Sequence, residues 1–238
     1  MKKITLLAVF LSMLCAWPTT ASAQGIEKGD QMVSVFLGSA APLNDSGVSA
    51  YSVTGEAVDT STLDWGDAST SYGVQYMYAL TPHFALGAEY NGNNFGDAEY
   101  EREYFVDWNN WGESEVNSKM DVQNFMIAGR YTVNPQSKVR FYIPLGLGVA
   151  SSKATFDFNE VINMAGRLDR TNASESKRTT SFTYYVGLGL EGTFSQNWIW
   201  GVEGRYQGFQ FDYGKFSDEY GTKNLSYFAL LLKLGYRF

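Results

Sequence analysis

Cysteine is almost absent from this chain. The single one, Cys15, lies in an N-terminal stretch where Lys2 and Lys3 precede an apolar run over residues 4–17, and Ala21-Ser22-Ala23 supplies a small-x-small cleavage site before Gln24. This reads as a secretory signal peptide, residues 1–23, too short to cross a bilayer as a helix. Bulky Leu14 precedes Cys15, where lipid attachment would require a small residue. The mature chain, residues 24–238, therefore carries no thiol, which excludes disulfides and cysteine chemistry. Histidine is nearly as scarce, with His83 alone, and proline numbers only five. No apolar run reaches eighteen residues, so a helical membrane protein is excluded. Without Lys2 and Lys3, the 18 basic residues fall to 16 against 25 acidic ones, a formal charge of −9. An exported acidic chain has no electrostatic footprint for nucleic acid.

What the chain has in quantity is aromatic residues, at 16%, and 24 glycines, a balance that favours many strands. In the last fourteen residues, Phe228, Leu230, Leu232, Leu234, Tyr236 and Phe238 alternate with Tyr227, Ala229, Leu231, Lys233, Gly235 and Arg237. One face is apolar and ringed, the other mostly small or charged, a period of two. The pattern recurs over residues 71–80, 84–91, 122–133, 141–150, 182–194 and 198–207, with a less regular first strand at 31–38. Short turns at 81–83, 134–138 and 195–197 alternate with long polar stretches at about 39–70, 96–119, 152–180 and 212–223. Eight segments of about ten residues suit tilted strands crossing a bilayer. Backbone groups in hydrocarbon must all be paired, so the sheet has to close. The expectation is a closed eight-stranded antiparallel transmembrane β-barrel with periplasmic termini, short periplasmic turns and long extracellular loops. Eight strands leave an interior only wide enough for side chains. Inward glycines and alanines then make room for Tyr142, Tyr185 and Met126.

Six charges fall on the inward face: Glu89, Arg130, Glu191, Glu203, Arg205 and Lys233. Glu89 and Glu203 lie about five residues from a short turn, Lys233 five from the terminus, and Arg130 four before its turn. They share roughly one layer. Buried charges persist when paired, so an internal ion-pair network plugging the lumen is expected; a charged constriction selecting ions is the alternative. The aromatics Tyr72, Tyr90, Trp198, Trp200, Tyr206, Tyr236 and Phe238 cluster near strand ends, as interfacial girdles do. The stretch from 100 to 111 holds Tyr100, Tyr104, Phe105, Trp108 and Trp111. Such residues favour binding surfaces, but they would equally cap the barrel mouth or prolong a hairpin beyond the membrane. Phe156, Phe158, Val161, Ile162 and Met164 raise the same question.

Two apparent motifs carry no chemistry. Gly187, Gly189 and Gly192 have the spacing of a dinucleotide fingerprint, but no helix follows to receive a pyrophosphate. His83 belongs to a short turn and has no second imidazole or thiol with which to activate a nucleophile. No catalytic, cofactor-binding or metal-binding residue is assigned. A weak internal echo aligns Leu80 to Glu89 with Phe194 to Glu203: an apolar residue, a three-residue turn, an aromatic, then apolar-Gly-apolar-Glu.

The hairpin from Thr81 to Tyr90 (Thr-Pro-His-Phe-Ala-Leu-Gly-Ala-Glu-Tyr) and the terminal Gly235-Tyr236-Arg237-Phe238 resemble the small outer-membrane β-barrels of Gram-negative bacteria, the OmpX- and opacity-type surface proteins. The resemblance implies residence in the outer membrane amid its lipid and lipopolysaccharide. It also implies delivery by the barrel-assembly machinery, which reads a C-terminal aromatic strand. The role expected from it is a non-enzymatic surface protein, structural or engaging host, phage or matrix molecules through its loops. The alternatives are a small pore or uptake route for small or hydrophobic molecules and, behind it, a lipid-modifying enzyme. A soluble lipocalin-like barrel, with its apolar face inside, is the rival fold.

Overall fold

The computed structural model describes residues 25–43, 50–51, 57–58, 69–107, 110–164, 167–195, 197–212 and 222–238. The signal-peptide expectation, residues 1–23, falls outside them. The strands, in chain order, are β1 (Gln31–Pro42), β2 (Ala50–Tyr51), β3 (Ala57–Val58), β4 (Ser69–Ala79), β5 (Phe84–Asp107), β6 (Asn110–Thr132), β7 (Val139–Met164), β8 (Arg167–Thr193), β9 (Trp198–Asp212) and β10 (Thr222–Arg237). Eight of them close into a barrel in the order β1-β10-β9-β8-β7-β6-β5-β4, while β2 and β3 form a two-stranded ribbon in the first long connection. β1 and β10 complete the ring antiparallel, from Met32 opposite Arg237 to Pro42 opposite Tyr227.

The short turns are tied by their own polar groups. Phe84 donates its N–H to Thr81 Oγ1 at 2.9 Å. Asn134 accepts from the Phe141 N–H at 2.7 Å and donates to the Val139 carbonyl at 3.0 Å, which locks the turn between β6 and β7. The two halves of the echo close alike, with Leu80 N–H to Phe84 O at 2.9 Å and Phe194 N–H to Trp198 O at 3.2 Å.

Exposure along the strands alternates in the sense that a bilayer requires. Leu188 is 71% exposed, Ile127 67% and Leu37 60%, while Glu203 and Arg140 are 0%. Apolar out and charged in is inverted for a protein in water and correct for one in lipid. The lipocalin-like rival is thereby excluded.

The stretches read as the second and third long loops are instead strand. β5 and β6 pair to Asp107 opposite Asn110, and β7 and β8 to Met164 opposite Arg167. Their neighbours stop far sooner: β4 leaves β5 at Thr70 opposite Asn94, and β9 leaves β8 at Thr183 opposite Phe209. A four-stranded sheet, β5 to β8, thus stands above the ring. From Asn94 to Asp107 it extends about 43 Å along the strand. The period-two signal fades there because both faces are free of lipid, so alternation no longer separates apolar from polar.

A second correction concerns the interior. Its periplasmic half is polar, but the extracellular half holds an apolar cluster that includes Phe95, Met120, Phe156, Phe209 and Phe211. The inward parity continues upward, yet large apolar side chains take over from small and charged ones. This part of the lumen is packed like a protein core.

Candidate functional site: the barrel lumen

The lumen's organisation begins with two glycines. Gly189 on β8 sits opposite Tyr142 on β7, and Gly146 on β7 opposite Tyr185 on β8. A Cβ at Gly189 would lie 2.1 Å from Tyr142 Cζ, and one at Gly146 would lie 2.4 Å from Tyr185 Cε1. Each ring therefore lies flat over a neighbouring glycine, a pairing that fixes register and side-chain direction together. The rings become shelves. Arg130 stacks over Tyr142 with its guanidinium carbon 4.4 Å from the centroid, and Arg205 over Tyr185 at 4.2 Å.

From those shelves the hydroxyls reach carboxylates. Tyr142 donates to Glu203 Oε2 at 2.9 Å, and Tyr185 to Glu89 Oε2 at 3.1 Å. Arg205 bridges the same two acids, donating through Nη1 to Glu89 Oε1 at 2.5 Å and through Nε to Glu203 Oε1 at 2.7 Å. Its Nη2 also donates to Glu203. Lys233 donates to Glu203 Oε2 and to Gln75 Oε1, each at 2.9 Å. Gln75 and Asn91 complete the shell of Glu89, donating at 2.7 and 2.8 Å. The two glutamates of the internal echo thus converge on one guanidinium.

A second cluster lies beside the first. Glu191 Oε1 accepts from Arg130 Nη2 at 2.5 Å and from Arg140 Nε at 2.8 Å. Arg140 also donates to Thr193 Oγ1 at 3.1 Å. All six inward charges read from the sequence lie in these two clusters, which Tyr142 links. Arg140, fully buried, was missed. It has the same parity as Tyr142, and a strand begun one residue earlier would have placed it inward. Above the ions, Asn124 donates to Asn91 at 2.7 Å and Asn93 to the Tyr227 hydroxyl at 2.8 Å. Tyr227 in turn meets Phe95 and Phe209 edge-on, at 5.2 and 6.3 Å, where the apolar half begins.

On the outer surface the aromatics form two groups. Trp198 packs edge-on against Tyr236 at 5.3 Å and Tyr236 against Phe238 at 5.2 Å, at the end of the short turns. Trp200 lies over Gly192 at the same end. At the opposite end, Tyr90 meets Phe125 at 5.0 Å, Tyr206 meets Tyr184 at 6.3 Å, and the Tyr72 ring covers Gly92. Of the other aromatics singled out, Trp111 is half-buried on β6, opposite Phe105 of β5. The side chains of Tyr100, Tyr104 and Phe105, and all of Trp108, lie outside what is described. His83 sits in the first short turn, with Nδ1 2.8 Å from the Thr132 carbonyl and its ring stacked on Tyr131 at 5.9 Å. Among the described residues, no three His, Cys, Asp or Glu side chains come together as a metal site.

Comparison with known proteins gives a single family. The model described as "Outer membrane protein beta-barrel domain" matches residues 9–238. No match was found among curated proteins. Similar solved structures include the attachment invasion locus protein Ail of Yersinia pestis, 15% identical over 89% of this chain and 100% of that one, with a TM-score of 0.47. The outer membrane protein OprG of Pseudomonas aeruginosa is 13% identical over 91% and 99%, with a TM-score of 0.49. Neisserial surface protein A is 13% identical over 89% and 100%, with a TM-score of 0.44.

Proposed function

The chain belongs to the outer-membrane β-barrel family and resides in the outer membrane, and from that premise we propose that it is a non-enzymatic surface protein with a plugged barrel, working through the sheet that rises from it. The observation that carries this reading is the division of the molecule. Below, ions and then apolar side chains fill the lumen; above, four strands continue without lipid or ring closure.

The rising sheet offers what an interaction module needs. Among the described residues β9 pairs with β8 only as far as Thr183 opposite Phe209. Beyond it Asp212 meets side chains of β8, its carbonyl accepting from the Thr179 hydroxyl at 3.2 Å and its carboxylate facing Lys177 at 3.4 Å. From there toward Arg167 the β8 backbone has no strand partner on that side among the described residues. Strand addition to such an edge draws affinity from the main chain. Arg167, Asp169, Arg170, Glu175, Lys177 and Arg178 line that edge, and charges of this kind discourage self-association. The partner is a host, phage or matrix molecule presenting an extended segment. The first 23 residues export the chain, the C-terminal aromatic strand is handed to the barrel-assembly machinery, and the aromatic groups on the outer surface sit at the two lipid interfaces.

A pore or uptake route is disfavoured by the packed interior, and a lipid-modifying enzyme by the position of His83 at the periplasmic turn. The test is adhesion of whole cells carrying a chain from which residues 100–111 are deleted. The barrel should still assemble while adhesion falls. Undiminished adhesion, after the β8 edge has also been blocked by proline substitutions at residues 170–176, would remove the interaction role.

A further inference from the structure

We infer that residues 25–30 form a strap that bars the periplasmic mouth of the barrel and opens while the ring stays closed. The inference is independent of the surface role. In ring order β7 stands opposite β1, four strands away in either direction. The chain approaches β1 from that far side. Ile26 donates its N–H to the carbonyl of Pro135, in the turn between β6 and β7, at 3.1 Å. Gly29 donates to the Ala79 carbonyl of β4 at 2.8 Å, and Ala79 to the Asp30 carbonyl at 2.8 Å. Between these two anchors the segment crosses the mouth. Gly29, at φ +97°, makes the corner where the strap turns into β1, a conformation that a side chain would strain.

Behind the strap lies the buried pair of Arg130 and Glu191. Both border a cavity with Met77, Ala79 and Ile199, and Ile26 of the strap borders it too. Arg237 reaches the strap from β10, donating Nη1 to the Gly25 carbonyl at 2.9 Å and facing Asp30 at 3.6 Å. The strap is held more weakly than the strands. None of its residues is fully buried, and Glu27 and Lys28 are exposed, whereas every ring strand is laddered on both sides. Segments with few buried apolar contacts and solvent-facing backbone bonds open at the low end of a protein's free-energy range. Lifting residues 25–28 gives up the bonds to Pro135 and Arg237 and bares Ile26, while Gly29 stays tied to β4 as the pivot. Closure also buries Arg130 Nη1, which has no acceptor among the described residues, and a buried unpaired donor works against the closed state. An open strap admits water to the ion clusters but not past the packed apolar half, so it carries no current.

Thiol labelling tests this, because the mature chain has no cysteine of its own. Ile199→Cys places one thiol in the cavity, and Leu225→Cys places one in the packed half as a control. Each barrel, refolded in detergent micelles, is treated with a small water-soluble methanethiosulfonate. The thiol at position 199 should react slowly, at a rate unchanged by low urea, and deletion of residues 25–28 should speed it at least about tenfold. If the deletion does not fold, Ile26→Pro, which removes the N–H bonded to Pro135, should speed it instead. The thiol at position 225 should stay unreactive throughout. Equal rates at 199 with and without the strap would overturn the inference. So would a rate at 199 in the intact chain that climbs with urea or is no faster than at 225, since the mouth would then open only when the whole barrel unfolds.

Discussion

Replacing Arg205 by methionine removes the group on which the lumen's first ion cluster turns. The guanidinium is 2% exposed and donates to both Glu89 and Glu203, so its loss leaves two buried carboxylates without their shared cation. Breaking a buried ion pair by deleting one partner costs about 3–5 kcal/mol. The lower end applies here. Glu203 keeps Lys233 and Tyr142, and Glu89 keeps Gln75, Asn91 and Tyr185. The expected loss is therefore about 3 kcal/mol, or roughly a hundredfold in the unfolding equilibrium constant. Reversible urea unfolding in lipid vesicles, followed by tryptophan fluorescence, measures it. A further substitution of Glu89 by glutamine should recover part of the loss, because one unpaired charge is then gone. A loss below about 0.5 kcal/mol, the scale of an unremarkable surface change, would mean that water screens Glu89 and Glu203, and the packed-lumen argument would fail.

Two further substitutions probe other levels of the structure. Leu188→Arg, on the outer face at mid-strand, should cost about 2–4 kcal/mol in a bilayer, read from the same urea titration; no cost would mean that this face does not meet lipid. Gly189→Val drives a side chain into Tyr142 and should cost about 1–3 kcal/mol, with most of the loss recovered when Tyr142 is also made alanine. If the double variant is no better than the single one, the ring-over-glycine pairing does not organise the lumen.

Much of this molecule is legible in its sequence because a bilayer imposes a strict rule on side-chain direction. Lys233, flanked by Leu232 and Leu234, has one tolerable orientation, and the same parity argument points Glu203 and Arg205 inward. Where the rule lapses, legibility lapses with it. Residues 96–119 and 152–180 carry no lipid-facing stripe, so their sequence does not distinguish strand from loop, and only the register of Glu101 opposite Glu115 or Phe156 opposite Glu175 reveals the extended sheet. Arg140 escaped notice because a strand's first residue cannot be located by alternation. The apolar upper lumen escaped it for a different reason: Phe209, Phe211 and Leu225 have inward parity, but parity says which way a side chain points and not what fills the space it enters. The pairing of Glu89 and Glu203 on one guanidinium needed the closed ring, since these strands are distant in sequence and come together only across the barrel.

The claim on which the account rests is that side chains close the lumen from mouth to mouth. Single-channel recording of the refolded protein in planar bilayers tests it most directly. The intact chain should give no steady current at moderate voltage, and steps should appear only in variants such as Arg205→Met that break the ion cluster. Reproducible, uniform conductance steps from the unaltered protein would contradict it.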